Sequence, residues 1–494
     1  MIESMVQGIS VLFQPVMMLS MFLAVIGGLI FGVLPGLSGM TFMAIFIPFT
    51  WGMDPALAMT VLVSAYAVAS TGGSITSILV NIPGVGPSAA TLLDGFPMTQ
   101  QGKAGRALGA MLVASGLGGV EGSFVLALLI PMVMPIVMAF GSPESFFLIA
   151  MGLSFIAALG HGSKVKAAIS GLLGLLLAYM GYHDATGFAR YTFGSSFLLD
   201  GVKIIPCALA IFAMPEMIHL MISGGSIVKK GTMVRASGAD ILEGVKDVFR
   251  HWWLHVRCVI LGVFVGIVPG VGGDVAVWVA YGHAKSTSKH PETFGQGNIE
   301  GVIGPESASN GKEGGAMLPT LALGIPGSGA MAVLLGAFLI QGIQPGPAFL
   351  REHLDLAWTI VGTLVLSNLF GIVICLFIAP TLIKVTRVRG HLLAPLLLCI
   401  MALGTYCYRN SLSDVFLMLA LSFLGWTMRQ LGYSRPAFFL GYVLGGLAER
   451  YFGISILSYG WKFFLTPISL TLIAVTIFSI AYQPVTSFLK RRKN

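Results

Sequence analysis

Apolar residues run in long blocks along most of the chain. The stretches from Val11 to Leu34, Leu108 to Phe140, Val202 to Ile222, Thr359 to Ile383 and Phe463 to Ala481 each match the roughly 20 residues with which an α-helix spans a bilayer core. Extended over the chain, the pattern predicts roughly ten to fourteen crossings, the range being set by Gly and Pro interruptions. Apolar and polar residues do not alternate in units of about ten, so an outer-membrane barrel is not expected. The N-terminus carries Glu3 and no basic region before an apolar stretch too long for a signal peptide, so the first segment is expected to stay as a helix.

The longest hydrophilic insert, residues 224–253, nearly bisects the chain, and similar motifs stand on either side of it. GVLPGLSG at 32–39 is matched by GIVPGVGG at 266–273. GGSITSILVNIPGVG at 72–86 is matched by GGAMLPTLALGIPGSG at 314–329. A repeat of this size means a duplicated half-protein rather than short tandem units. The chain therefore divides into a first membrane repeat (1–223), a basic linker (224–253), a second membrane repeat (254–430), and C-terminal membrane helices with a basic tail (431–494). Within the linker, Ala239 to Leu242 with Val245, Val248 and Phe249 predict a short amphipathic helix on the cytoplasmic face. Paired halves of this kind are commonly inverted in secondary transporters; a parallel pair would read the same in sequence.

The matched breaks have a physical meaning. Proline lacks an N–H and clashes with the preceding turn, so helices are expected to stop or kink at Ile82-Pro83 and Ile325-Pro326. The glycines that follow permit positive φ or close approach of another group to the backbone. Unpaired backbone groups at membrane depth are tolerated only where protein buries them or a wet cavity receives them. Paired breaks in two halves are therefore the strongest sequence pointer to a transport site.

Composition agrees with this reading. Of 494 residues 56% are hydrophobic and 10% charged, with mean hydropathy +0.89, whereas soluble domains carry about 25% charged residues. The net charge of +8 is concentrated. Lys229, Lys230, Arg235, Lys246, Arg250 and Arg257 form one cluster, Lys384, Arg387 and Arg389 a second, and Lys490 to Lys493 a third. Short basic segments stay in the cytoplasm, so this pattern assigns topology and not nucleic-acid binding. The cysteines (Cys207, Cys258, Cys375, Cys399 and Cys407) have no metal-site spacing and read as helix-packing residues. The histidines are dispersed and read as interfacial. No hydrolase, zinc-protease or nucleotide-loop motif occurs, so no enzyme and no cofactor is expected.

Polar residues gather at the two breaks. Gly73, Ser74, Thr76, Asn81, Pro83, Gly84 and Ser88 surround the first; Asn310, Gly324, Pro326, Gly327 and Ser328 surround the second. Hydroxyls, amides and exposed N–H groups at half-helix N-termini suit a carboxylate, because a helix N-terminus carries partial positive charge. These twelve are the candidate substrate-binding residues. Ion coupling falls to Asp274, Ser309 and Lys312. Ionisable groups at membrane depth are functional by default, although Asp274 equally suits a helix N-cap and Lys312 equally reads as one half of a neutralised pair with Glu313. Glu121 is a weaker candidate. Asp94, followed by Gly95, reads as a turn, and Lys103 and Arg106 as interfacial anchors.

The two long motif blocks, residues 32–39 with 72–109 and residues 269–350, resemble the large membrane subunit of tripartite tricarboxylate transporters (TctA type), over about residues 10 to 430. The resemblance implies an all-α polytopic fold with two inverted repeats, paired broken helices or re-entrant hairpins, and an elevator-type transport movement. It implies a bacterial inner-membrane carrier that takes up a carboxylate by Na+ or H+ symport. Its partners would be a small four-helix membrane subunit and a periplasmic solute-binding protein. Thr71 where Tyr is common, Ser309-Asn310 where Asn-Asn is common, Asp274 where a small residue is usual and Phe96 in place of Tyr depart from the family pattern. They leave a di-, tri- or aromatic carboxylate open.

Overall fold

The computed structural model describes residues 1–34, 36–154, 163–183, 186–223, 238–269, 273–382 and 390–477, without the side chains of 273, 274, 379–382 and 390–392. The basic stretches at 224–237, 383–389 and 490–493, and the side chain of Asp274, lie outside the described residues.

The first half contains α1 (Ile2–Val11), α2 (Pro15–Val33), α3 (Gly39–Thr50), α4 (Pro55–Val80), α5 (Ser88–Gln100) and α6 (Ala104–Met138). It continues through α7 (Ser142–Ser154), α8 (Lys164–Ala178), a short hairpin pairing Gly181–Tyr182 with Ala189–Arg190, α9 (Ile204–Ala208) and α10 (Met214–Ser223). The second half begins with α11 (Gly238–Arg250), α12 (Trp252–Ile267), α13 (Gly273–Thr287), α14 (Glu300–Leu323) and α15 (Gly329–Ile340). It ends with α16 (Pro347–Glu352), α17 (Leu354–Leu382), α18 (Gly390–Arg409), α19 (Leu412–Gln430) and α20 (Arg435–Tyr459).

Among the described residues the structure is all-α apart from that hairpin, and it fits a multi-pass membrane protein. Among the described residues, six helices are long and apolar enough to cross a bilayer, or eight if each of two bent pairs counts as one span. That is fewer than the ten to fourteen crossings expected of the whole chain. The count fails for a physical reason. Three apolar helices (Gly39–Thr50, Gly329–Ile340 and Leu393–Arg409) fall short of a full span. The long α14 is too polar to register, yet it is buried along almost its whole length. The expected straight crossing from Phe463 is also corrected, because the chain bends by 71° between Arg435–Leu465 and Pro467–Ile477.

Glycines set how the helices meet. A Cβ at Gly28 or Gly32 of α2 would lie 2.1 or 2.0 Å from the carbonyl oxygens of Ala65 or Ala69 on α4. A Cβ at Gly262 or Gly266 of α12 would lie 2.8 or 2.3 Å from those of Ala308 or Lys312 on α14. Gly72 meets Leu29 as Gly315 meets Val263. Without side chains between them the backbones approach closely, which is how membrane helices associate when no water drives them together. The amphipathic α11 lies against α6 through Gly244 on Arg106, and α1 lies against α17 through Gly8 on Asp355. The helix expected near 239–249 is thus present, bent by 75° from α12.

Contacts also fix the helix directions. Ser74 and Tyr66 of α4 meet Glu306 and Glu313 of α14 in reverse order, so these two helices run antiparallel. Gly116 and Gly119 of α6 meet Ile372 and Asn368 of α17 in reverse order as well. By contrast α6 and α14 run parallel, with Gly118 on Ser307 and Gly122 on Gly311.

Candidate functional site

Both helices stop just before the expected break. Asn81 follows the last turn of α4 with φ 59°, and Gly324 follows α14 with φ 69°. Glycine and asparagine are the residues that tolerate this left-handed cap. Each chain then doubles back. Gly84 donates its N–H to Gly73 at 3.3 Å, and a Cβ on Gly84 would lie 2.5 Å from the Gly73 Cα. Gly327 donates to the Thr320 hydroxyl at 3.4 Å, and its Cβ would lie 2.8 Å from the Ala316 Cα. Ser328 caps α15, accepting from Met331 N at 3.3 Å. Ser88 closes its own turn through Val85 O at 2.8 Å, and Thr76 bonds back to Gly73 O at 2.8 Å.

The two breaks do not touch. Since α4 and α14 are antiparallel, they lie at opposite ends of that helix pair. The fold-back then returns Gly84 to the level of Gly73 and Gly327 to the level of Ala316. By helix rise these two levels are about 15 Å apart along the pair. They also differ in exposure: Asn81, Pro83 and Gly86 are exposed, whereas Ile325 to Ser328 are buried.

Between the levels lies a buried polar layer. Glu306 is fully buried and accepts from Ser74 Oγ at 2.6 Å and from Thr91 Oγ1, with Ser115 adding a third hydroxyl. Ser115 and Thr71 hydroxyls are 3.0 Å apart. Asn310 donates to Thr71 Oγ1 at 3.1 Å and to Asn368 Oδ1 at 2.8 Å. The network thus joins α4, α5, α6, α14 and α17. Glu306 Oε2, Asn310 Oδ1 and Ser309 Oγ are buried there without a hydrogen-bond partner among the described residues.

One helical turn further along α14, Lys312 pairs with Glu313, and Tyr66 donates to Glu313 Oε2 at 2.5 Å. All three sit where two half-helices begin. A Cβ on Gly39, the first residue of α3, would lie 2.9 Å from the Tyr66 ring. On Gly329, the first residue of α15, it would lie 3.6 Å from the Met40 sulfur. The N-termini of α3, capped by Ser38, and α15, capped by Ser328, therefore adjoin beside the Lys312–Glu313 pair. Lys312 is thus paired with its neighbour Glu313.

The expected site residues thus fall into two groups. Gly73, Ser74, Thr76, Gly84 and Ser88 stand on the Glu306 side. Gly324, Pro326, Gly327, Ser328 and Lys312 stand on the α3–α15 side, with Ser309 and Asn310 between. Asn81 and Pro83 face outward. The sequence reading missed Glu306 as a site residue, and with it Tyr66, Thr91, Ser115 and Asn368. Glu306 was visible as an acidic residue inside a Gly- and Ser-rich run, but its partners come from other helices.

Two readings need correction. His255 is not interfacial: it is fully buried, with Nδ1 2.7 Å from Ser307 Oγ and Nε2 3.2 Å from Glu121 Oε1. Asp94 is not in a turn. It sits inside α5, fully buried, and accepts the N–H groups of Gly295, Gly297 and Asn298 at 2.8–2.9 Å and the Tyr281 hydroxyl at 2.9 Å. It ties the loop before α14 to α5. Arg106, read as an interfacial anchor, forms a two-point pair with buried Asp247 that joins α6 to α11.

The chain is 32% identical over 504 aligned residues to the "Uncharacterized 52.8 kDa protein in TAR-I ttuC' 3'region" of Agrobacterium vitis, covering 99% of this chain and 98% of that protein. It is 34% identical over 190 residues to the "Uncharacterized protein in TAR-II ttuC' 3'region" of the same organism, covering 38% of this chain and 78% of that protein. No solved structure matches. The tripartite tricarboxylate transporter TctA family matches residues 18–440, a region holding both breaks and the whole buried polar layer, and the chain belongs to that family of transporters.

Proposed function

We propose that this chain is the large membrane subunit of a binding-protein-dependent secondary transporter that imports a carboxylate by cation symport. The single observation that carries the proposal is the antiparallel pairing of α4 and α14. It turns both fold-backs toward one buried polar layer from opposite ends. Secondary transporters bind cargo near the membrane midplane where broken helices of two repeats meet. The matched glycine contacts and the reversed helix directions support two inverted repeats. Access from either side would alternate by an elevator-type movement.

The carboxylate is assigned to the region between the N-termini of α3 and α15. Unpaired N–H groups and the helix dipole favour an anion there, and Lys312 and Tyr66 lie alongside. An anion that draws Lys312 from Glu313 would bind in exchange for an existing ion pair, which makes recognition sensitive to the number and spacing of carboxylates. The positive-inside rule puts α11 and the basic stretches in the cytoplasm of a bacterial inner membrane. The start of α6, tied to α11, then faces the cytoplasm, and the IPGSG break opens toward the periplasm. A periplasmic binding protein would deliver cargo there, and a small four-helix subunit completes the assembly.

Reconstitution tests this. The full chain, with the small subunit and the binding protein, is placed in proteoliposomes and offered di-, tri- and aromatic carboxylates under separate Na+ and proton gradients. Accumulation of one carboxylate, dependent on the binding protein and on one gradient, is expected. A binding protein that docks without any uptake would instead make the chain a scaffold or receptor.

A further inference from the structure

Glu306 raises a question that the carboxylate site leaves unanswered. A carboxylate fully buried in a membrane protein needs a compensating positive charge, because isolated buried charge is strongly unfavourable. Among the described residues none of the groups bonded to Glu306 is cationic; they are the hydroxyls of Ser74, Thr91 and Ser115. Lys312 is engaged by Glu313, and His255 by Glu121 and Ser307.

The unpartnered atoms show what is missing. Glu306 Oε2 and Asn310 Oδ1 are both acceptors, both buried, and lie one turn apart on the same face of α14. They are linked through Ser115 and Thr71. A proton on Oε1, shared with the Ser74 and Thr91 hydroxyls, would neutralise the carboxyl but leave Oε2 and Asn310 Oδ1 without partners. A metal cation would serve both, and it takes hydroxyl, amide and carboxylate oxygens as ligands, the preference of hard ions. The single carboxylate suits one positive charge rather than two.

We propose that the pocket formed by Glu306, Ser74, Thr91, Ser115 and Asn310 is the binding site for a co-transported Na+. This deepens the symport reading above and rests on it. The Na+ is cargo, held on the Glu306 side of the polar layer. Thr71 and Asn310 connect it to the α14 segment that carries Lys312 and Glu313. Filling the pocket would fix the facing surfaces of α4 and α14 and so order the layer before the carboxylate binds.

The test uses the purified full-length chain in detergent, without carboxylate or partner subunits. Binding of 22Na+ is measured by scintillation proximity, and thermal unfolding is followed in NaCl and in KCl. Saturable binding is expected, competed by unlabelled Na+ but not by K+, with an unfolding temperature that rises with Na+ alone. Glu306→Gln should abolish both effects. Ser74→Ala and Ser115→Ala should each weaken Na+ affinity about tenfold, which keeps the test decisive if Glu306→Gln does not fold. Glu292→Gln, an exposed carboxylate outside the layer, should bind as the parent does. A folded parent chain without saturable 22Na+ binding would overturn the proposal, as would parent-like affinity in the Glu306 and serine variants. If Na+ binds here but no carboxylate is carried in proteoliposomes, the symport reading fails and the cation site stands.

Discussion

Tyr66 on α4 donates its hydroxyl to Glu313 on α14 at 2.5 Å, and Glu313 is at the same time the ion-pair partner of Lys312. One tyrosine therefore ties the first half of the chain to the only buried ion pair in α14, beside the start of α3. Tyr66→Phe removes one hydrogen bond to a charged group, which is worth about 1.5–3 kcal/mol. We expect a lower unfolding temperature in detergent, together with a raised KM for uptake because the Lys312–Glu313 pair loses its orientation. An unchanged KM would separate Tyr66 from the carboxylate site.

Lys312 can be tested apart from its structural role. Lys312→Met alone leaves Glu313 buried and unpaired, a loss of about 3–5 kcal/mol, and the variant should express poorly. Lys312→Met with Glu313→Gln removes both charges and should restore the unfolding temperature to within a few degrees of the parent. If Lys312 binds the carboxylate, this folded double variant still fails to take it up. Normal uptake by the double variant would reduce the pair to a structural role.

Glycine contacts predict a graded series. Gly32→Ala and Gly266→Ala press a methyl group to within 2.0 and 2.3 Å of backbone oxygens, so α2 must move off α4, or α12 off α14. Overpacking of this kind costs about 1–3 kcal/mol or more. Gly446→Ala, in a helix with nothing within 4 Å of the new methyl, should be neutral or slightly stabilising. Unfolding temperatures of the three variants check the order.

Asp94 predicts a local effect. Asp94→Ala takes the acceptor from three backbone N–H groups of the loop at 295–298. Hydrogen–deuterium exchange in that loop should quicken markedly, while exchange in the distant α19 and α20 stays as in the parent. Unchanged exchange at Gly295, Gly297 and Asn298 would count against this tether.

Much of the local structure was legible in the residues. Pro83 and Pro326, with the glycines around them, mark where α4 and α14 end, because proline and left-handed backbone are local requirements. The amphipathic pattern of 239–249 gave α11 for the same reason. Length and apolarity were less faithful for α14. Its buried face consists of Glu, Ser, Asn, Lys and Gly, which satisfy one another or neighbouring helices instead of being apolar, so no hydropathy pattern reports it.

The site divides along the same line. That polar residues collect at two matched breaks was written in the chain itself. That Ser74, Thr91 and Ser115 surround Glu306, that Tyr66 reaches Glu313, and that Asn81 faces outward while Ser328 is buried were decided by packing. The sequence by itself determined the membrane character, the family, and the places where helices break, since each depends on residues close together in the chain. Only the tertiary structure decided which polar groups share a pocket. Those partners lie on different helices, and the antiparallel crossing of α4 and α14 that joins them is held by hydrogen bonds between distant segments, Ser74 to Glu306 and Tyr66 to Glu313.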